Sequence, residues 1–120
     1  MTCPECHKEI NNNAICCDCC KSNIRERLNN ILENLQFDDY QYIFGAYGIM
    51  NNWDLLDNVV SAHGKDCLKF CGGRTIEQQR KFILNAYDEY IQNPEDWSTT
   101  DLYYYKGQIE HTITYILNIL

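Results

Sequence analysis

Six of the eight cysteines in this chain fall within its first 20 residues: Cys3, Cys6, Cys16, Cys17, Cys19 and Cys20. The other two, Cys67 and Cys71, stand far downstream. A small secreted scaffold spreads its half-cystines along the chain, so that bridges close long loops and tie distant segments together. Here no cysteine lies between Cys20 and Cys67, which makes a poor disulfide framework. The opening Met-Thr-Cys-Pro-Glu-Cys also lacks the charged-then-apolar layout of a secretion signal. The expectation is an intracellular, reducing, cytoplasmic setting, in which clustered Cys-x-x-Cys pairs act as metal ligands.

Zinc takes about four thiolates in a tetrahedron, and a Cys-x-x-Cys turn offers two sulfurs to one ion with little strain. Cys3 and Cys6 make the first pair. Two registers are open for the second, Cys16 with Cys19 or Cys17 with Cys20. His7 is a further donor beside the first pair, but the nearby thiols are the better ligand set.

Residues 3–20 read CPECHKEINNNAICCDCC. This segment resembles the short prokaryotic zinc ribbon. That pattern runs Cys-Pro-x-Cys-Gly, an aliphatic residue, a polar turn, Ala-x-aromatic, then Cys-x-x-Cys-Gly. Ile10 takes the aliphatic place, Asn11 to Asn13 the turn and Ala14 the alanine. The resemblance implies Cys3, Cys6, Cys17 and Cys20 as the ligands of one Zn2+, with Cys16 at the aromatic position. It covers only the first 21 residues. His7 and Lys21 stand where the family has glycine, a residue free to take positive φ and let backbone N–H groups point at the sulfurs. Four protein ligands leave no place for water or substrate, so the expected ion is structural. It would fold a segment with little apolar material beyond Ile10, Ala14 and Ile15.

After Lys21 the spacing becomes helical. Ile24, Leu28, Ile31, Leu32 and Leu35 share one face, with Ser22 as the expected N-cap. Tyr40, Ile43, Phe44 and Tyr47 predict a second helix over 38–50. A third is expected over 53–70, with Gly64 as a point where it can split and Gly72 and Gly73 as its stop. The fourth spans 76–92, where Ile76, Ile83, Tyr87 and Tyr90 form a stripe and Asn93-Pro94 ends it. Ser98 to Asp101 caps the last, which carries Leu102, Tyr105, Ile109, Ile113, Ile116 and Leu120. The fold class is mainly α: a small zinc ribbon or knuckle over 1–21, then a four- to five-helix bundle over 22–120. No apolar run is long enough to span a bilayer.

Chemistry-bearing constellations are few. His63, Cys67 and Cys71 are spaced to share a helical face, either as a buried apolar stripe or as a second metal site completed by a spare N-terminal thiol. A thiol enzyme using Cys67 or Cys71 would need an orienting group and an oxyanion pocket, and no motif supplies them. His111 is expected on the surface. No phosphate loop, nucleophile elbow or HExxH is present. The expectation is a non-enzymatic protein.

Seventeen acids against ten bases give a net charge of −7, which argues against a phosphate-binding surface. Residues 1–36 hold five acids and four bases, so six of the seven net negative charges belong to the helical part. Asp38, Asp39, Asp88 and Glu89 are among them. Opposite charge speeds association with a basic surface, so the expected partner is a basic protein. Small acidic chains of this sort include regulators, adaptors and phage-encoded inhibitors. The alternative is nucleic-acid binding through the ribbon and a local patch of Lys21, Arg25 and Arg27. Of Tyr103, Tyr104 and Tyr105, only Tyr105 fits the core stripe, leaving an exposed tyrosine as a candidate interface anchor.

Overall fold

The computed structural model describes residues 1–35, 54–69 and 72–120. Among these lie four α-helices: α1 (Lys21–Leu35), α2 (Asp54–His63), α3 (Ile76–Gln92) and α4 (Thr99–Ile119). Short 3-10 turns occupy Asp18–Cys20 and Pro94–Asp96. β pairing among the described residues is confined to two antiparallel bridges, Thr2 with Glu9 and Cys67 with Thr75. The chain is therefore mainly helical, with a cysteine cluster ahead of the helices. The helix expected over 38–50 lies outside the described residues.

Helix α4 is the hub, because both α1 and α3 pack against it while α2 packs on α3. Its Leu102, Ile109, Ile113 and Ile116 are buried at the three- and four-residue spacing that puts them on one face. They meet Ile24, Leu28, Ile31 and Leu35 of α1 and Ile76 and Ile83 of α3 in one continuous core. The same core extends to Cys3, Ile15, Cys16 and Cys20. Both α3 and α4 open with a capping box, Thr75 with Gln78 and Ser98 with Asp101. Each side-chain cap satisfies a backbone donor that the helix leaves bare and stabilises by about 1 kcal/mol.

Two boundaries differ from expectation. Ser22 is inside α1 rather than at its cap, because the Asp18–Cys20 turn runs straight into the helix and Lys21 is already right-handed, with φ −52° and ψ −46°. The helix expected to reach residue 70 ends at His63. A Cβ on Gly64 would sit 2.4 Å from the Val60 carbonyl oxygen, so the chain leaves the helix by an approach open only to glycine. Beyond it, Leu68 N–H reaches Arg74 O at 2.8 Å and Ile76 N–H reaches Asp66 O at 3.0 Å. Gly72 and Gly73 turn this loop in the left-handed region, at φ 68° and 76°. Leu68 is consequently the buried residue here and Cys67 is exposed, against the expected buried stripe.

Periodicity also misses a polar patch of the core. Gln79, Gln108 and Thr112 are buried between α3 and α4 and hydrogen-bond one another. Among the described residues no buried side-chain N or O atom lacks a partner.

Candidate metal centre

Residues 1–10 fold back on themselves around the first cysteine pair. Cys3 N–H donates to Lys8 O at 2.8 Å, His7 N–H to Cys3 O at 2.9 Å, and Ile10 N–H to Met1 O at 2.8 Å. His7 has φ 62°, the left-handed conformation, at the place where the ribbon pattern carries glycine. For a residue with a Cβ that conformation costs about 1–2 kcal/mol. The second pair needs no such residue. Cys20 N–H closes on Cys17 O at 3.2 Å and the chain continues directly into α1.

The two turns bring the sulfurs of Cys3, Cys6, Cys17 and Cys20 within 4.8 Å of one another, and the Cys6 and Cys17 sulfurs are 3.4 Å apart. A tetrahedron with sulfurs about 2.3 Å from a central ion has edges of about 3.8 Å. The spacing therefore suits one ion, and these four cysteines could hold a metal. Of the remaining cluster cysteines, Cys16 is buried in the core beside Ile15, and Cys19 is exposed. The geometry thus groups Cys17 and Cys20 with the first pair, not Cys16 and Cys19.

The thiols influence one another strongly. Burial pushes the Cys3 thiol up, but hydrogen bonds from the backbone N–H groups of Cys17 and Cys6 outweigh it and bring the thiol to about 7. Cys17 is also lowered, first by its hydrogen bond with Cys6 and then by that with Cys20. Cys20 is raised well above the ordinary thiol range, first by its hydrogen bond with Cys17 and then by burial. Two sulfurs are thus biased towards thiolate, the form that binds metal. Burial raises Cys16, consistent with its role as a small apolar core residue.

Contacts outside the cluster fix it to the helices. The Asn58 side-chain amide on α2 donates to Thr2 O at 2.8 Å and to Ile15 O at 3.1 Å. Glu5 and Arg27 of α1 form an ion pair. Nothing in the sequence marks Asn58, a polar residue on a helix with an ordinary apolar stripe; its role comes from tertiary placement alone. The ion pairs also engage the local basic patch. Lys21 lies 3.3 Å from Asp18, and Arg25 donates to the main-chain oxygen of Leu120 at 3.3 Å.

The second candidate constellation does not assemble among the described residues. His63 is at the end of α2 and its Nδ1 lies 3.2 Å from Asp66 Oδ2, which also accepts from the Tyr115 hydroxyl at 2.5 Å. Cys67 belongs to the bridge with Thr75, not to a helical face shared with His63. Cys71 lies outside the described residues. Among them, Cys3, Cys6, Cys17 and Cys20 are the one group of His, Cys, Asp or Glu placed to hold a metal. His111 is exposed, as expected.

No protein-family model, curated protein or solved structure matches the chain. The site is read from its own chemistry. Four sulfur donors from the protein could fill the shell of one tetrahedral ion, which would suit a soft or borderline metal and leave no open coordination place.

Proposed function

We propose that the protein is a non-enzymatic, zinc-stabilised module of the cell interior that binds a basic protein partner, acting as a regulator, adaptor or inhibitor. In this reading residues 3–20 are a short zinc ribbon, one Zn2+ is held by Cys3, Cys6, Cys17 and Cys20, and the helices do the recognising. The observation that carries the reading is the complete four-sulfur shell joined to the helical core: such an ion stabilises and does not turn over substrate. The nucleic-acid alternative relies on Lys21, Arg25 and Arg27, and each of these is engaged with an acidic group or a main-chain oxygen of the chain itself. Phosphate binding would first have to displace those contacts, whereas the exposed carboxylates of Asp88 and Glu89 on α3 face a cationic surface without that cost.

Intact mass under native conditions, with and without chelator, tests the ion: one zinc per chain and four protected thiols are expected. The partner is tested by affinity capture after nuclease treatment, across a salt series. A basic protein is expected to be retained at moderate salt, and Asp88→Lys with Glu89→Lys is expected to slow its association. Recovery of RNA or DNA alone from untreated extract, with a steep dependence of affinity on salt, would favour the alternative instead.

A further inference from the structure

At the junction of α3 and α4, away from the cysteines, the protein holds a cleft of about 470 Å³ lined by Glu89, Asn93, Asp96, Trp97, Asp101 and Tyr105. That volume falls in the range typical of ligand-binding sites, roughly 300–1,000 Å³. Trp97 and Tyr105 are half-buried, with ring centroids 5.2 Å apart and planes inclined at 55°, so the two rings form an angled aromatic wall. The turn Pro94–Asp96 and the capping box at Ser98 place this wall beside the carboxylates. Asp101 is committed in part to the cap, accepting from Ser98 N–H at 3.2 Å. Glu89 and Asp96 are exposed, and among the described residues no lysine, arginine or histidine comes within 4.0 Å of either.

The lining selects a class of ligand by elimination. An anion would meet three carboxylates and the negative faces of two rings. A neutral apolar ligand would cover carboxylates without giving them a partner, which is unfavourable. A bare metal ion is excluded by spacing, because these acids are not gathered at ligand distance among the described residues. An organic cation satisfies both features at once, its charge meeting the carboxylates and its weakly hydrated faces meeting the rings. Glu89 and Asp101 act on the wall itself, against a smaller opposing effect of Arg74. Burial first, and then Glu89, Tyr104 and Asp101, raise the Tyr105 hydroxyl above its ordinary range.

We infer that this cleft receives a lysine or arginine side chain of the basic protein partner. The inference rests on the reading of the chain as a binder of basic proteins and gives that reading a specific place. The exposed Tyr103 and Tyr104, 66% and 50% accessible, lie on the same opening turns of α4 and extend the surface a partner would cover.

The test uses the zinc-loaded full chain and acetylated Gly-Gly-X-Gly-Gly peptides in which X is lysine, arginine or norleucine. The chain has two tryptophans, so the indole N–H signals are resolved by NMR and that of Trp97 is assigned with Trp97→Phe. The lysine and arginine peptides are expected to move the Trp97 signal saturably at concentrations on the order of millimolar, and the norleucine peptide to leave it in place. Glu89→Gln with Asp96→Asn removes charge without touching the cap. With helicity unchanged by circular dichroism, this variant is expected to weaken both basic peptides by about three- to tenfold. An equal response to norleucine, or unchanged affinity in the double variant, overturns the inference. If a basic protein partner binds while the Trp97 signal stays fixed, the cleft assignment falls and the wider reading survives. If neither basic peptide nor basic protein binds, both fall.

Discussion

Arg74 and Gln108 are joined by a 2.7 Å hydrogen bond, Nη2 to Oε1, across 34 residues of sequence. The same guanidinium donates through Nε to Gln79 Oε1 at 2.7 Å, and Gln79 passes the contact on to Gln108 and Thr112 at 3.0 and 3.3 Å. Gln79 is fully buried, so its oxygen depends on Arg74. Arg74 also lies 4.0 Å over the Phe82 ring. Arg74→Met is expected to leave a buried acceptor unmatched and destabilise by about 1–3 kcal/mol, read as a lower urea midpoint at unchanged slope. Arg74→Lys is expected to recover little, because a single ammonium lacks the fork that serves both glutamines.

The cysteine cluster makes a prediction that separates its members. Cys17→Ser and Cys20→Ser are each expected to lose the stoichiometric metal, and Cys19→Ser to keep it, as measured by native mass spectrometry. Cys16→Ser is expected to keep the metal but to lose about 1–3 kcal/mol of stability, since it places a hydroxyl in the core. Metal retention in Cys17→Ser together with loss in Cys16→Ser would reverse the assignment of the second pair.

Gly64 is held by close backbone approach. Gly64→Ala must shift either Val60 or the loop to clear the 2.4 Å contact, and is expected to cost about 1–3 kcal/mol. The loop shift would show as faster amide exchange at Leu68 and Ile76, whose N–H groups close the turn.

Asp66 titrates below the ordinary carboxylate range, chiefly because the Tyr115 hydroxyl donates to it, with a further contribution from His63. Its depressed folded value means that the contact stabilises the protein above about pH 4 and that this stabilisation is lost as pH falls through the folded value. Tyr115→Phe is expected to move the Asp66 carboxyl back up, visible by carboxyl-carbon NMR, and to flatten the loss of stability with acid below about pH 4.

Local chemistry explains what could be read ahead of the structure. The helix bounded by Thr75 and Asn93 has a side-chain cap at one end and Asn-Pro at the other, so both boundaries are written in adjacent residues. The apolar spacing of α1 and α4 likewise fixes which faces are buried. The end of α2 was half legible: Gly64 marked a point where it can split, but apolar residues continue past it, and crowding at Val60 decides that the helix stops there. The polar layer was illegible for a related reason: Gln79 and Gln108 look like surface residues until the two helices are set against each other. At the cluster, spacing alone leaves two sulfur registers, and the choice between them depends on which cysteine the core takes up. That is Cys16. Asn58 has no sequence signal at all.

The grip of Asn58 on the main chain at both Thr2 and Ile15 spans the two cysteine turns from outside. Because its helix belongs to the same packed interior as Cys3 and Cys20, an ion held by the four cysteines would be coupled to the helices as one cooperative unit. A chain lacking the ion would then open more often and be cut more readily by an added protease.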